Sequence, residues 1–448
     1  MNRFKSHYKK NILLAYPVML SQLGHVLVGI TDSVMVGSLG VEPLAAAALA
    51  NVIFHLLMTF GIGVSFAITP LVAAADGENN IEKSAEVLKH CTVINFLISL
   101  VLALLVFAGS KGLYLLSQPE EVLKLAIPYL GIITLSIIPL MLFQSARQFA
   151  EGLSQTRQAM YITIGSNVLN VLLNYILIFG KLGFPAMGLN GAGYATLLSR
   201  VLMALAMWLY LFQSGRYKPY HAAMKYIRLN MLMINKMLRI GLPAGFQFFF
   251  EVGAFGFSSI MIGWLGARSL AAHQIALNMA SVSYMMATGL AAAATIRVGN
   301  HYGRKDYPTL RTVAFSIFIM VMAFMSLFAI VFILGRNIFP ALYISDPEVI
   351  SIASSLLVIA AFFQLSDGIQ VVGLGALRGL ADVKIPTFFI FIAYWIIGLP
   401  IGYVLGFRLG LGVEGIWYGL LTGLSVSAVL LFARFQAITK KKIAGSNP

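Results

Sequence analysis

The sequence predicts an all-α polytopic membrane protein: twelve transmembrane helices in two pseudo-symmetric six-helix lobes around a central cavity. Three observations predict it. The 448-residue chain is 59% hydrophobic and 10% charged, against about 25% charged for an average soluble domain, and its mean hydropathy is +0.87. Apolar runs of the length a bilayer core requires, about 20 residues, recur twelve times along it. Finally, short motifs return at a near-constant interval, so the second half reads as a copy of the first.

Taken in order, the expected spans are 11–37, 44–73, 90–110, 126–146, 160–180, 191–213, 238–265, 270–296, 312–335, 350–374, 386–406 and 414–436. The first run is long and lacks a small-residue cleavage pattern, so it reads as a span rather than a signal peptide. Connections are short except around 214–237, which is basic and polar. That gives an N-lobe over 1–213, a cytoplasmic linker over 214–237 and a C-lobe over 238–448. The 41 glycines suit helices packing in lipid, where small residues let backbones approach.

Orientation follows from the 31 Lys and Arg. Only Lys111, Lys124, Lys181, Arg268, Arg336 and Arg408 fall in segments on one side, and Arg200 lies within a span. All the others lie on the side that carries both termini. By the positive-inside rule the termini are cytoplasmic, in a multi-pass protein of the cell's inner or plasma membrane. The net charge of +15 then faces anionic lipid headgroups rather than nucleic acid. Cys91 is the only cysteine, which excludes intrachain disulfides and thiolate metal clusters.

The repeat is read from matched motifs. Tyr16-Pro17 answers to Leu242-Pro243, and Val36-Gly37-Ser38-Leu39-Gly40 to Ile262-Gly263-Trp264-Leu265-Gly266, each 226 residues on. Gly152-Leu153 answers to Gly379-Leu380, and Gly188 with Gly191 to Gly412 with Gly415. Six spans per copy give both copies one orientation. That is a parallel repeat, with substrate expected at the repeat interface.

Three spans carry one acid each: Asp32, Glu251 and Asp367. A lone carboxylate in such a segment costs roughly 2.5–3.5 kcal/mol if charged, so function is the default hypothesis. Helical spacing puts Gln247, Glu251, Phe255 and Ser258 on one face of the seventh span, and Gln364, Asp367 and Gln370 on one face of the tenth. Glu251 lies 12 residues from Arg239 and Asp367 lies 11 from Arg378, so the two acids are expected at similar depth. They read as a site for a hard monovalent cation, Na⁺ being the candidate metal, completed by amide and backbone oxygens. Alternatively they share a proton.

Asp32 stacks with His25 and Gly29 on the first span, and falls nearer the outer side. The fifth span lines up Asn167, Asn170 and Asn174, and Thr196 on the sixth offers a hydroxyl. This reads as an N-lobe proton or drug-ammonium site. An Asp32–Arg200 ion pair is the competing structural explanation, and the asparagines serve equally as interhelical glue. His25 is a candidate proton relay. His273 and Gln274 are candidates for the C-lobe cation shell. Pro17, Pro139, Pro243 and Pro400 are candidate kinks.

These residues resemble the multidrug and toxic compound extrusion (MATE) transporters, in the NorM-like bacterial branch. The likeness is carried by Gly29-Ile30-Thr31-Asp32-Ser33-Val34-Met35-Val36-Gly37, Asn170 with Asn174, Glu251, Ala272-His273-Gln274-Ile275-Ala276-Leu277-Asn278, and Asp367. It runs over essentially the whole chain. It implies a secondary antiporter exporting cationic amphipathic compounds against inward Na⁺ or H⁺, with Gln274 and Asn278 among its polar residues. No cofactor and no enzymatic activity are implied, and a monomer is expected. The related DinF-like branch has an acid where this chain has Asn174.

Two rival readings fit the sequence less well. A lipid-linked saccharide flippase of the same superfamily would line its cavity with arginines, whereas only Arg200 is intramembrane here. An intramembrane aspartyl protease would need a Gly-x-Gly-Asp pattern, which neither Asp32 nor Asp367 has. No glycine-rich phosphate loop ending in Gly-Lys-Ser/Thr is present, so ATP is not bound by a Walker motif in this chain.

Overall fold

The structure, a computed structural model, describes residues 2–116 and 119–445. Among these residues it is helical, with no strand: α1 (Asn2–Gly37), α2 (Val41–Ser65), α3 (Ile68–Gly77), α4 (Ile81–Gly109), α5 (Glu120–Leu135) and α6 (Ile137–Gly152). Next come α7 (Arg157–Phe179), α8 (Gly188–Gln213), α9 (Lys218–Tyr226), α10 (Met231–Gly263), α11 (Ala267–Gly303) and α12 (Tyr307–Gly335). The chain closes with α13 (Ile338–Tyr343), α14 (Pro347–Gly379), α15 (Lys384–Phe391), α16 (Leu399–Tyr403) and α17 (Gly412–Ala444). Among the described residues twelve stretches are long and apolar enough to cross a membrane, and they match the twelve expected spans in order.

Three spans are not continuous α-helix, and proline accounts for the breaks. The second, Val41–Gly77, divides between α2 and α3 just before Pro70; the fourth, Glu120–Gly152, divides at Ser136 just before Pro139. A proline has no N–H for the carbonyl four residues back, which here belongs to Phe66 and Leu135. The eleventh span, Lys384–Arg408, widens into π turns over Ile392–Gly398 and Val404–Arg408, with Pro400 between them. Pro17 and Pro243 sit inside unbroken helices.

The repeat is written in the backbone. Gly40 and Gly266, the last residues of the paired motifs, have φ of 127° and 113°, in a region that L side chains rarely adopt. Each precedes a helix, α2 and α11. Gly152 and Gly379 also do equivalent work. A Cβ on Gly152 would stand 2.7 Å from Val72 Cβ and 3.1 Å from Thr69 O; on Gly379 it would stand 2.9 Å from Val298 Cβ and from Thr295 O. Thr69 and Val72 are the counterparts of Thr295 and Val298 by the same repeat.

The contacts group into two compact units, one of residues 20–245 and the other of residues 1–19 with 246–448. In the first, α2 packs on α5, α4 on α6, and α7 and α6 on α8. Its core gathers Phe54, Leu130, Ile133, Ile137 and Met141. The polar segment 214–237 belongs to this unit and is tied to α4. Lys89 Nζ donates to the carbonyls of Met224 (3.1 Å) and Ile227 (2.6 Å), capping the end of α9, and the Asn230 N–H donates to His90 Nε2 at 2.8 Å. In the second unit α14 is the hub, packed on α11, α12 and α17. Trp417, Tyr394, Phe332 and Phe435 are fully buried there.

Candidate binding sites within the spans

Glu251 sits in α10 and Asp367 in α14, 6% and 4% exposed. The polar stripes expected on these helices are real and face inward: Gln247 is 1% exposed, and Gln364 and Gln370 are fully buried. Gln370 Nε2 donates to Glu251 Oε1 at 3.0 Å, and the Tyr394 hydroxyl donates to Gln370 Oε1 at 3.2 Å. The two carboxyls are within electrostatic reach of each other. So the second unit brings together Glu251, Asp367 and Gln370, on neighbouring helices.

Gln364 is held differently. Ser283 Oγ lies 2.6 Å from Gln364 Oε1 and 2.7 Å from Ala280 O, but a hydroxyl has one proton. With that proton on Ala280 O, the Gln364 amide satisfies Ser283 by turning its nitrogen toward it. Neither Gln364 Nε2 nor Gln247 Nε2 has a hydrogen-bond partner among the described residues.

Gln274 and Asn278 are exposed on α11 and bond to each other at 3.1 Å. No hydrogen bond links either to the two acids. Both ring nitrogens of His273 are engaged elsewhere. The Trp417 indole N–H donates to His273 Nδ1 at 3.0 Å, and His273 Nε2 bonds Ser259 Oγ at 2.9 Å. Indole is a donor only, so Nδ1 accepts and the imidazole proton sits on Nε2. The ring is a neutral strut joining α10, α11 and α17.

In the first unit Asn174 Nδ2 donates to Asp32 Oδ1 at 2.5 Å and to Asn170 Oδ1 at 3.2 Å. Asn170 Nδ2 continues to Ser199 Oγ at 3.3 Å, and Ser199 Oγ donates to Thr196 O at 3.0 Å. Thr196 therefore joins the chain through its backbone, not its hydroxyl. His25 is exposed on α1 and makes no hydrogen bond to Asp32. Arg200 forms no ion pair with Asp32. It donates to Ser136 Oγ at 2.7 Å and lies over the Phe54 ring, 5.1 Å from its centroid. Asn174 Oδ1, Asn167 Nδ2 and Thr163 Oγ1 are buried without partners among the described residues. Such atoms are where ordered water or a ligand is expected.

Sequence reasoning missed Tyr394, Trp417 and Ser199. Tyr394 and Trp395 stand side by side in the eleventh span, and two polar-tipped aromatics in mid-span were the available signal. Among the described residues no three His, Cys, Asp or Glu gather as a metal site, so a metal cation would depend on amide, hydroxyl and backbone oxygens.

Outside the spans, Asp346 caps α14 and meets Arg268 of α11 at 3.1 Å, while Arg268 also pairs with Glu348. The backbone N–H of Glu348 first, then that of Val349 and the Arg268 guanidinium, hold the Asp346 carboxyl below the usual carboxylate range.

Comparison with known proteins fits this layout. The MatE family model matches residues 17–176 and 243–404, one match in each half. The chain is similar to the probable multidrug resistance protein NorM of Agrobacterium fabrum, 35% identical over 98% of this chain and 95% of that one. It is similar to the multidrug resistance protein MdtK of Photorhabdus laumondii, 32% identical over 98% of each. In fold it resembles the eukaryotic MATE transporter AtDTX14, with TM-score 0.87 and 21% identity over 98% of this chain and 99% of that one. It also resembles an outward-facing multidrug resistance MATE transporter of the MOP superfamily, with TM-score 0.89 and 20% identity over 97% and 96%. With twelve spans, an internal repeat and a family match in each half, the chain belongs to the MatE family.

Proposed function

We propose that the protein is a secondary active multidrug efflux antiporter and not an enzyme. It exports cationic amphipathic compounds in exchange for Na⁺ or H⁺ across the cell's inner or plasma membrane, as a monomer of two lobes with cytoplasmic termini. The names of its relatives, NorM and MdtK, support the multidrug reading. The observation that carries the coupling is Glu251. A carboxyl in mid-span, met by Gln370 and near Asp367, is too costly to retain for packing alone.

The chemistry follows from the donor set. Glu251 and Asp367 supply oxygens that accept a proton or ligate Na⁺. Asp32, held by Asn174, offers a separate anionic group for a drug ammonium or a proton. Transport requires that cation and drug each bind the two access states with different affinity. Cation binding at Glu251 and Asp367 favours one arrangement of the lobes, and drug binding favours the other.

The test is ethidium efflux from inverted or proteoliposomal vesicles, with Na⁺ and H⁺ gradients imposed separately. Wild-type protein moves the dye under at least one gradient, and Glu251→Gln does not. Dye movement indifferent to both gradients would refute the antiport reading.

A further inference from the structure

We infer that Tyr394 is a positioning residue for Glu251, acting through the Gln370 amide, and that the π turn of the eleventh span brings it into place. The inference rests on the reading of Glu251 as a cation site.

α15 gives way to a π turn over Ile392–Gly398. Such turns are rare and are frequently found at functional positions. This one has a visible product. Tyr394 and Trp395, consecutive residues, both reach the surroundings of Glu251. The Tyr394 hydroxyl bonds Gln370 on α14, and the Trp395 indole N–H donates to Phe250 O on α10 at 2.9 Å. In an α-helix successive side chains diverge by about 100°; a wider turn brings them closer in direction. Gly253 makes room for the indole, since a Cβ there would stand 3.2 Å from the Trp395 ring. Behind the turn, Cβ atoms on Gly419 and Gly423 of α17 would stand 2.6 Å from Gly398 O and 2.7 Å from Ala393 O. The π turn is wedged between α17 and α10 with no side chain to spare.

An amide has two unlike ends, and Tyr394 chooses which one Glu251 meets. With the phenol proton on Oε1, Gln370 points its nitrogen at the carboxylate. Tyr394 and Gln370 are fully buried, so solvent is poorly placed to replace the phenol. The empty, ionised carboxylate thus always faces a donor, and an arriving proton or Na⁺ has to share it. Without the phenol hydroxyl, Gln370 is free to turn its carbonyl toward Glu251, which suits a protonated carboxyl or a bound metal cation. Tyr394 keeps the site in the form that lets its cation go. The ionisable groups acting on Glu251 from neighbouring elements are Asp367 and Arg378 of α14, Tyr284 of α11 and Tyr394 itself.

Tyr394→Phe removes one oxygen and keeps the ring. In dye-efflux vesicles driven by Na⁺ or by H⁺, the cation concentration for half-maximal efflux should fall roughly three- to ten-fold, and the maximal rate should drop as release slows. Gln370→Met should abolish this sensitivity, so that Tyr394→Phe adds nothing in its background; a merely structural tyrosine would lower stability and leave the half-maximal cation concentration unmoved. Trp395→Phe, which loses the bond to Phe250 O, should shift the half-maximal concentration in the same direction, and it carries the test if Tyr394→Phe does not insert. If Tyr394→Phe and Trp395→Phe both keep wild-type cation dependence while Glu251→Gln is inactive, the positioning role is wrong and the cation site stands. If Glu251→Gln is still driven by the gradient, both readings fall together.

Discussion

Arg200 donates to the hydroxyl of Ser136 at 2.7 Å, at the break between α5 and α6. A partly buried guanidinium thus braces a proline-broken span, while the hydrogen bond to Asp32 comes from Asn174. Replacing a buried charge with an apolar group of similar length is often neutral or stabilising, whereas removing its partner is costly. Arg200→Met should therefore leave thermal stability within about 1 kcal/mol of wild type, while Ser136→Ala should lower it by about 1–3 kcal/mol. Melting followed by fluorescence-detected size exclusion separates the two.

Asn174→Leu should act on transport more than on folding. It removes the donor to Asp32 and the link to Asn170. Losing a hydrogen bond to a charged group, about 1.5–3 kcal/mol, predicts roughly ten- to hundred-fold weaker efflux if Asp32 contacts the exported cation. Wild-type efflux kinetics in this variant would remove the first-unit cluster from the mechanism.

Trp417→Phe tests the strut. It leaves His273 Nδ1 without its donor in a fully buried position, and a loss of about 1–3 kcal/mol is expected. Drug binding measured by fluorescence polarisation at low temperature should persist, since neither residue belongs to the acid cluster.

The paired glycines should fail alike. Gly152→Ala and Gly379→Ala each push a methyl into the facing turn, at Val72 and Thr69 or at Val298 and Thr295. Overpacking of this kind typically costs about 1–3 kcal/mol. Melting temperatures lowered by similar amounts in the two variants would express the repeat energetically; a drop in one alone would show the copies to be unequal.

At the Arg268 clasp the sign of the pH effect is fixed. A carboxyl held below its ordinary value contributes stability above the ordinary Asp range, near 3.9, and loses it as pH falls through its lowered value. The stability difference between wild type and Arg268→Gln should be steady from neutral pH down to about pH 5 and vanish in stronger acid. The pair is exposed, so the difference is small throughout.

Much of this was legible in the sequence, because lipid imposes a simple rule on composition. Long apolar runs located the twelve spans, and the glycine motifs revealed the repeat because each marks a turn or a close approach that tolerates no side chain. The stripes around Glu251 and Asp367 were legible because helical spacing alone places Gln247, Gln364 and Gln370 on the acid faces. What spacing cannot give is the choice of partner across helices. Arg200 was a candidate partner for Asp32 but donates to Ser136, and His273 looked like a ligand until Trp417, 144 residues on, occupied its nitrogen. Gln274 and Asn278 share a helix with His273 yet are exposed and bond to each other. Tyr394 depends on a π turn, for which an α-helical wheel has no place.

Competition between cation and drug on the purified protein tests the central claim most directly. Ethidium is added to detergent-solubilised protein equilibrated with radiolabelled Na⁺, and again in weakly buffered medium where released protons are counted. Wild-type protein should give up one of these cations as the dye binds, and Glu251→Gln should bind dye and release neither. Release from Glu251→Gln matching wild type, or dye binding in wild type with no cation displaced, would contradict the account.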